Sequence, residues 1–488
     1  MKILICALIT VLALNHAVYL HAAVQEPLIR NEYSISLEYF PETRDIIGFQ
    51  RVTYTNRTGS PQARVLFNLY FNAFAEGYAP TPYFRRDFDA IFPKGIGYGG
   101  INVINTFVNG DMSRHSVNGT SLTVFLPFVL EKEQEVSISV HFEATIPEIS
   151  HRTGANGNTA WFGNFVPLLS VYNRAEQQWR ADPYYPAGRP FFSNIANFNV
   201  KITTPADYIV VGTGDASVSE AGDHKTTAFN AVLVRDFAFA ASNEYRETTF
   251  ISESGVHVKT FMLSDIDENT SFSIAIEALD YFSETIGGYP YKSFKIAENG
   301  NYAATAIYPQ LIFVNTETVQ SADKDEAALQ LVSAVAKQWF YGVVGNDQIR
   351  EAWLCDGLAY YTAVRFLNRG DEEGLERHMT DLAAGVKREI RLMEHSSAIA
   401  GHISVYASNA AHTAIQTHKA ALMFHALRGL IGSEAYDEFL RIYYRTNYLA
   451  IANEESLIRA AEEAYNGCLR GFFDAWLHGE GLPEGGDR

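Results

Sequence analysis

Ser333, Lys337 and Asp356 stand at a spacing that metal chemistry uses. In a helix, residues four apart share one face, so Ser333 and Lys337 project together, and Asp356 arrives on a second apolar segment that starts at Trp353. The separation, 356 − 333 = 23, is that of H-E-x-x-H followed by eighteen residues and a Glu. In that pattern two imidazoles and a carboxylate hold zinc, and the Glu beside the first His takes a proton from the metal-bound water. Here the spacing is kept and the residue types are not. Ser333 and Lys337 occupy the two His positions, Ala334 the base position and Asp356 the acid position. A hydroxyl is a poor zinc ligand beside a neutral imidazole, an ammonium repels the metal, and a methyl group accepts no proton.

The residues around these positions carry a resemblance. Gln338, Trp339 and Phe340 follow the first segment, and Trp353, Leu354, Gly357, Ala359 and Tyr361 pattern the second. The stretch resembles the membrane alanyl aminopeptidase family of gluzincin zinc metallopeptidases, whose helices read roughly H-E-x-x-H-Q-W-F-G and W-L-N-E-G-x-A-x-Y. Two further stretches are similar to the same family. Ala304-Thr-Ala-Ile-Tyr-Pro309 is similar to its G-G-M-E-Y-P loop, keeping Tyr308 and Pro309 and putting Ile307 where an amine-binding Glu belongs. Thr417-His-Lys-Ala-Ala-Leu422 is similar to Y-x-K-G-A-L, keeping Lys419 and putting Thr417 where a Tyr stabilises the oxyanion.

The resemblance covers about Glu32 to Pro483 and implies an α+β fold. An N-terminal antiparallel β sandwich or saddle is expected over 24–262, and a mostly α, thermolysin-like domain over 263–484, with a cleft between them and a tail at 485–488. The family's usual later domains are not expected in this chain. With ligands, base, oxyanion Tyr and amine-binding Glu all replaced, the expectation is an inactive homologue that needs no zinc and keeps the cleft for a peptide or protein. Lys337 is expected to pair with Asp356, the alternative being that it snorkels outward. Gln338, Trp339, Trp353, Gly357, Tyr361 and Lys419, with Tyr308 and Pro309, are expected to shape that cleft. A metallopeptidase with relocated ligands is the alternative, with His412 and His418 as candidates; a structural cell-envelope protein is a third.

Composition bounds the rest. The chain has 488 residues, long for one domain, and an ordinary globular balance of 47% hydrophobic and 19% charged residues. Its net charge of −18 gives it no electrostatic reason to bind nucleic acid or anionic lipid, and favours basic partners or neutral substrates. Lys2, the apolar run Ile3–Leu14 and the small residues before Val24 read as a secretory signal over 1–23, with an uncleaved anchor as the other reading. Export would place the protein outside the cell, in a periplasm or in the envelope. No other run is long enough to span a bilayer. Cys6 falls within the signal, and Cys355 and Cys468 are expected to be two buried thiols, a bridge between them being possible.

The elements that must position these residues are legible from periodicity. Period-two runs at 33–39, 51–55, 122–126, 135–142 and 199–203 predict strands. Trp161 and Trp179, in an aromatic, proline-rich region, are expected to pack. A helical stripe spans 268–285, short strands follow at 294–297 and 311–314, and helices are predicted at about 325–341, 353–367, 371–393, 411–431, 433–446, 453–465 and 470–477. Gly97-Tyr-Gly-Gly-Ile101 lacks the Lys-Ser/Thr helix of a phosphate cradle and is a loop. Asn56, Asn118 and Asn269 head glycosylation sequons.

Overall fold

The computed structural model describes residues 30–483 apart from Pro80, Tyr302 and Ala304. The expected signal at 1–23, Cys6 and the tail at 485–488 lie outside the described residues.

Alternation builds the first half. Along Asn31–Phe40, Tyr33, Ile35, Leu37 and Tyr39 turn inward while their neighbours face solvent. The strand pairs antiparallel with Asp45–Thr55 and parallel with Ala196–Pro205, at the centre of an eight-stranded sheet that runs from Asp215–Ala221 to Asp111–Ser113. Two four-stranded sheets accompany it. Phe67, Phe142, Phe162, Phe165 and Phe198 fill the shared core. The expected β-rich architecture is observed, with one parallel pairing inside an otherwise antiparallel sheet.

Trp161 is fully buried and its indole N–H donates to the His151 carbonyl at 2.5 Å, so it packs as expected. Asn56 is buried too, its amide donating to the Ser60 and Leu130 carbonyls at 2.9 Å. A glycan on that nitrogen is incompatible with this fold.

A five-stranded sheet follows, ordered Arg246–Ile251, His257–Met262, Ser293–Asn299, Leu311–Asn315 and Thr305–Tyr308. His257–Phe261 pairs in parallel with Ser293–Ala297, so this sheet runs across the 262/263 boundary drawn from the sequence. The antiparallel edge strand Thr305–Tyr308 carries Ile307 and Tyr308.

The longer helices begin with α1 (Glu268–Thr285), capped by Asp267, which accepts from the Thr270 N–H. Then come α2 (Lys324–Ala336), α3 (Trp353–Leu367), α4 (Glu372–Ile390), α5 (Ala420–Ile431), α6 (Ser433–Thr446), α7 (Glu454–Tyr465) and α8 (Arg470–Leu477). Two predicted helices are interrupted. The one expected over 325–341 stops at Ala336 and continues as a π segment, Gln338–Val343, with Phe340 off helical geometry at φ −97, ψ 45. The one expected over 411–431 is a short α turn at Asn409–His412, a π segment at Thr413–Lys419, and then α5. Hydrophobic periodicity does not distinguish one extra residue per turn, and π segments are frequent at functional sites.

Both remaining cysteines are free, Cys355 buried and Cys468 exposed. This excludes the bridge between them and corrects the expectation that both thiols are buried: Cys468 lies in the turn between α7 and α8. Among the described residues no helix is long and apolar enough to cross a membrane.

Candidate functional site

The site is built where α2, α3 and the loop 180–195 meet. Asp323 starts α2 by accepting from the Glu326 N–H, and Ser333 and Lys337 follow one turn apart near its end. The first turn of α3 carries Asp356. Gly357 lets α3 approach its neighbour, since a Cβ there would stand 2.3 Å from the Ala420 Cβ at the start of α5.

The ammonium of Lys337 lies 2.9 Å from Asp356 Oδ1, as the sequence led us to expect. A second cation was not anticipated. Arg189, on the loop 180–195, donates from Nη2 to the same oxygen at 2.8 Å and to Cys355 Sγ at 3.0 Å. Its guanidinium lies over the Tyr341 ring, 5.0 Å from the centroid. Arg189 is 167 residues from Asp356, so no local pattern could have signalled it. The one clue was the proline- and aromatic-rich run that contains it.

Burial by itself would raise the Asp356 pKa, but Lys337 and Arg189 outweigh it and hold the carboxyl well below the usual range. Asp356 is 5% exposed, so it is an ion in a dry setting that depends on its two partners. Burial pushes the Cys355 thiol up. His412 is also buried, and burial lowers its pKa to about 4, leaving a neutral imidazole that Asp356 opposes only weakly. The imidazole rests on Gly188 (φ +57), where a Cβ would come within 2.6 Å of the ring. Its Nε2 is buried without a hydrogen-bond partner, as is Ser333 Oγ.

The other sequence-predicted residues divide into those near this centre and those that brace it. Ala334 is buried in the helical core together with Ile307. Thr417 sits half-buried in the π segment Thr413–Lys419. Gln338 ties α2 to the edge strand, its amide donating to the Tyr308 carbonyl at 3.0 Å and its oxygen accepting from the Gln310 N–H at 2.8 Å. Tyr308, which ends that strand, and Pro309 after it are buried, and burial pushes the Tyr308 pKa up to about 12.

Trp339 donates to the Gly287 carbonyl at 2.7 Å, and the Trp353 N–H donates to Gln416 Oε1 at 3.0 Å. Tyr361 meets His425 Nδ1 at 3.2 Å. Lys419 is fully buried and binds the Ser397 and Gly479 carbonyls at 2.7 and 2.9 Å, so it braces the C-terminal part of the chain. His418 stands apart from Asp356, against Tyr360 and beside His378. Among the described residues no group of three or more His, Cys, Asp or Glu side chains is placed to hold a metal ion.

Comparison with known proteins gives this arrangement its context. Residues 279–476 match the peptidase family M1 domain. A 191-residue stretch is 24% identical to aminopeptidase N of Lactococcus lactis subsp. lactis, covering 36% of this chain and 21% of that protein. A 253-residue stretch is 21% identical to aminopeptidase M1-B of Oryza sativa subsp. japonica, covering 49% of this chain and 29% of that protein. The chain thus spans less than a third of these curated relatives' lengths. Among solved structures, the M1 zinc metallopeptidase of Deinococcus radiodurans superposes with TM-score 0.67 at 18% identity, covering 94% of this chain and 96% of that one. A mutant of a two-domain M1 zinc metallopeptidase bound to L-arginine superposes with TM-score 0.68 at 18% identity, over 93% and 95% of the two chains. The fold is that of the two-domain M1 metallopeptidases, and residues 279–476 of the chain match the M1 peptidase domain.

Proposed function

We propose that this protein is an exported M1-family homologue that binds a peptide or protein segment in the family's cleft without zinc-dependent hydrolysis. The observation that carries the reading is the Lys337–Asp356–Arg189 cluster. Zinc needs three lone-pair donors in a tetrahedral set with an open position. At the corresponding positions stand one hydroxyl, one ammonium and one carboxylate whose Oδ1 already faces two cations. These residues do not fit the ion. Ala334, at the base position, has no group to activate water. Export rests on Lys2 and the apolar run Ile3–Leu14 ahead of Val24.

Relatives and structural neighbours support the choice of ligand. The Deinococcus radiodurans enzyme, as a mutant, has been crystallised with a Tyr-Ser-Ala substrate, and an M1 mutant with L-arginine. Zinc quantification on protein purified without chelators, paired with an aminoacyl-substrate assay and a peptide-binding titration, tests the proposal. The expected outcome is well under one zinc per chain, no chelator-sensitive turnover, and measurable peptide binding. One equivalent of zinc with chelator-sensitive release of amino acids would overturn it.

One observation favours the alternative, a metallopeptidase with relocated ligands: His412 is a neutral imidazole beside Asp356 with a free Nε2. On that reading His412→Ala removes the zinc.

A further inference from the structure

Lys337 and Arg189 converge on one atom, Asp356 Oδ1, at 2.9 and 2.8 Å. Two cations on one carboxylate leave an excess of positive charge at this spot. They also leave donors unused. Arg189 Nη1 is buried with no hydrogen-bond partner although the residue is only 8% exposed, and Ser333 Oγ is buried and unpartnered one helical turn from Lys337. An ammonium carries three protons, and the Lys337 side chain keeps 17% of its surface open.

Nearby groups do not cancel this charge. Arg152 donates to the Gly188 carbonyl at 3.3 Å and acts on Tyr308 and Tyr341 in the same sense as Arg189. Asp236 is the acid that opposes them, but it is buried, bonded to the Asn164 amide and the Phe237 N–H, and pushed up by burial to about 7. The chain's net charge of −18 repels anions at a distance. That field is screened over about 8 Å at physiological salt, so beside Asp356 the local cations prevail. An unsatisfied guanidinium donor, an unpartnered hydroxyl and an ammonium with protons to spare, around a carboxylate engaged through one oxygen only, are the groups that would receive a second carboxylate.

We propose that this spot receives a carboxylate, held by Lys337, Arg189 Nη1 and Ser333 Oγ, and that the ligand class is a peptide bearing an acidic group there. The inference rests on the peptide-binding reading above and narrows it. A C-terminal carboxylate and an acidic side chain share this chemistry, and the test separates them.

The probes are N-acetyl-Ala-Ala-Ala, its C-terminal amide, and N-acetyl-Ala-Asp-Ala amide, each titrated calorimetrically into the full chain. The free acid is expected to bind roughly ten- to a hundredfold more tightly than the plain amide, the range for hydrogen bonds to a charged group. Recovery of that affinity by the Asp-containing amide would support the carboxylate site and assign it to an acidic side chain. Lys337→Met should erase the difference between acid and amide. Ser333→Ala, which keeps both charged partners of Asp356, should shrink it several-fold in a protein with an unchanged circular dichroism spectrum. Equal binding of acid and plain amide would sink the carboxylate site and leave peptide binding intact. No binding by any of the three would sink both.

Discussion

At the residue scale, the Asp356 side chain decides the character of this site. Lys337 was legible because Ser333, Lys337 and Asp356 keep a known spacing, and a carboxylate left without a metal needs another cation. Arg189 was not legible, because its partner lies on another element and only the folded chain brings them together. Removing one member of such a buried cluster strands the others, which costs about 3–5 kcal/mol. Asp356→Asn should lower unfolding free energy in urea at pH 7 by about that amount, and a change under 1 kcal/mol would mean the cluster is dispensable. The pH dependence has a definite sign. Asp356 is held below its unfolded value of about 3.9, so its contribution is present above that pH and disappears as the solution is acidified through and below it. The gap between wild type and Asp356→Asn should therefore close below about pH 4.

At the element scale, α2, α3 and α5 are held in one relation by small contacts. Most of the helices could be read from apolar periodicity, and in the structure Asp267, Asp323, Asp371 and Asn453 each cap one of them. The π segments Gln338–Val343 and Thr413–Lys419 could not, since the apolar spacing around them reads as continuous helix. Gln338 shows what the first of them achieves: it faces the edge strand and satisfies two backbone groups of 308–310. The approach of α3 to α5 depends on Gly357 lacking a Cβ. Overpacking a close helix contact costs about 1–3 kcal/mol. Gly357→Ala should lower the midpoint of thermal unfolding accordingly, despite alanine's better helix propensity. A variant more stable than the parent would show that the two helices move apart freely.

At the scale of the whole molecule, side chains from the first half reach into the second. Besides Arg189, Arg235 donates to the Tyr341 and Val343 carbonyls at 2.9 and 2.8 Å and also bonds the Ala450 carbonyl at 2.5 Å. The order of β-rich then helical regions was legible from the change of period in the chain. The continuity of the sheet from Arg246 to Asn315 was not, because parallel neighbours far apart in sequence leave no local mark.

The sulfur beneath Arg189 extends this to a use. Cys355 is sealed in the core against the guanidinium, while Cys468 stands in the open. With peptides mapped by mass spectrometry, a maleimide should label Cys468 within minutes and Cys355 only as fast as the chain opens. Equal rates at the two positions would contradict the seal. The molecule thus contains its own stopwatch: the alkylation rate at Cys355 times each breach of the ionic plug above it, and a guest seated against that plug would slow the count.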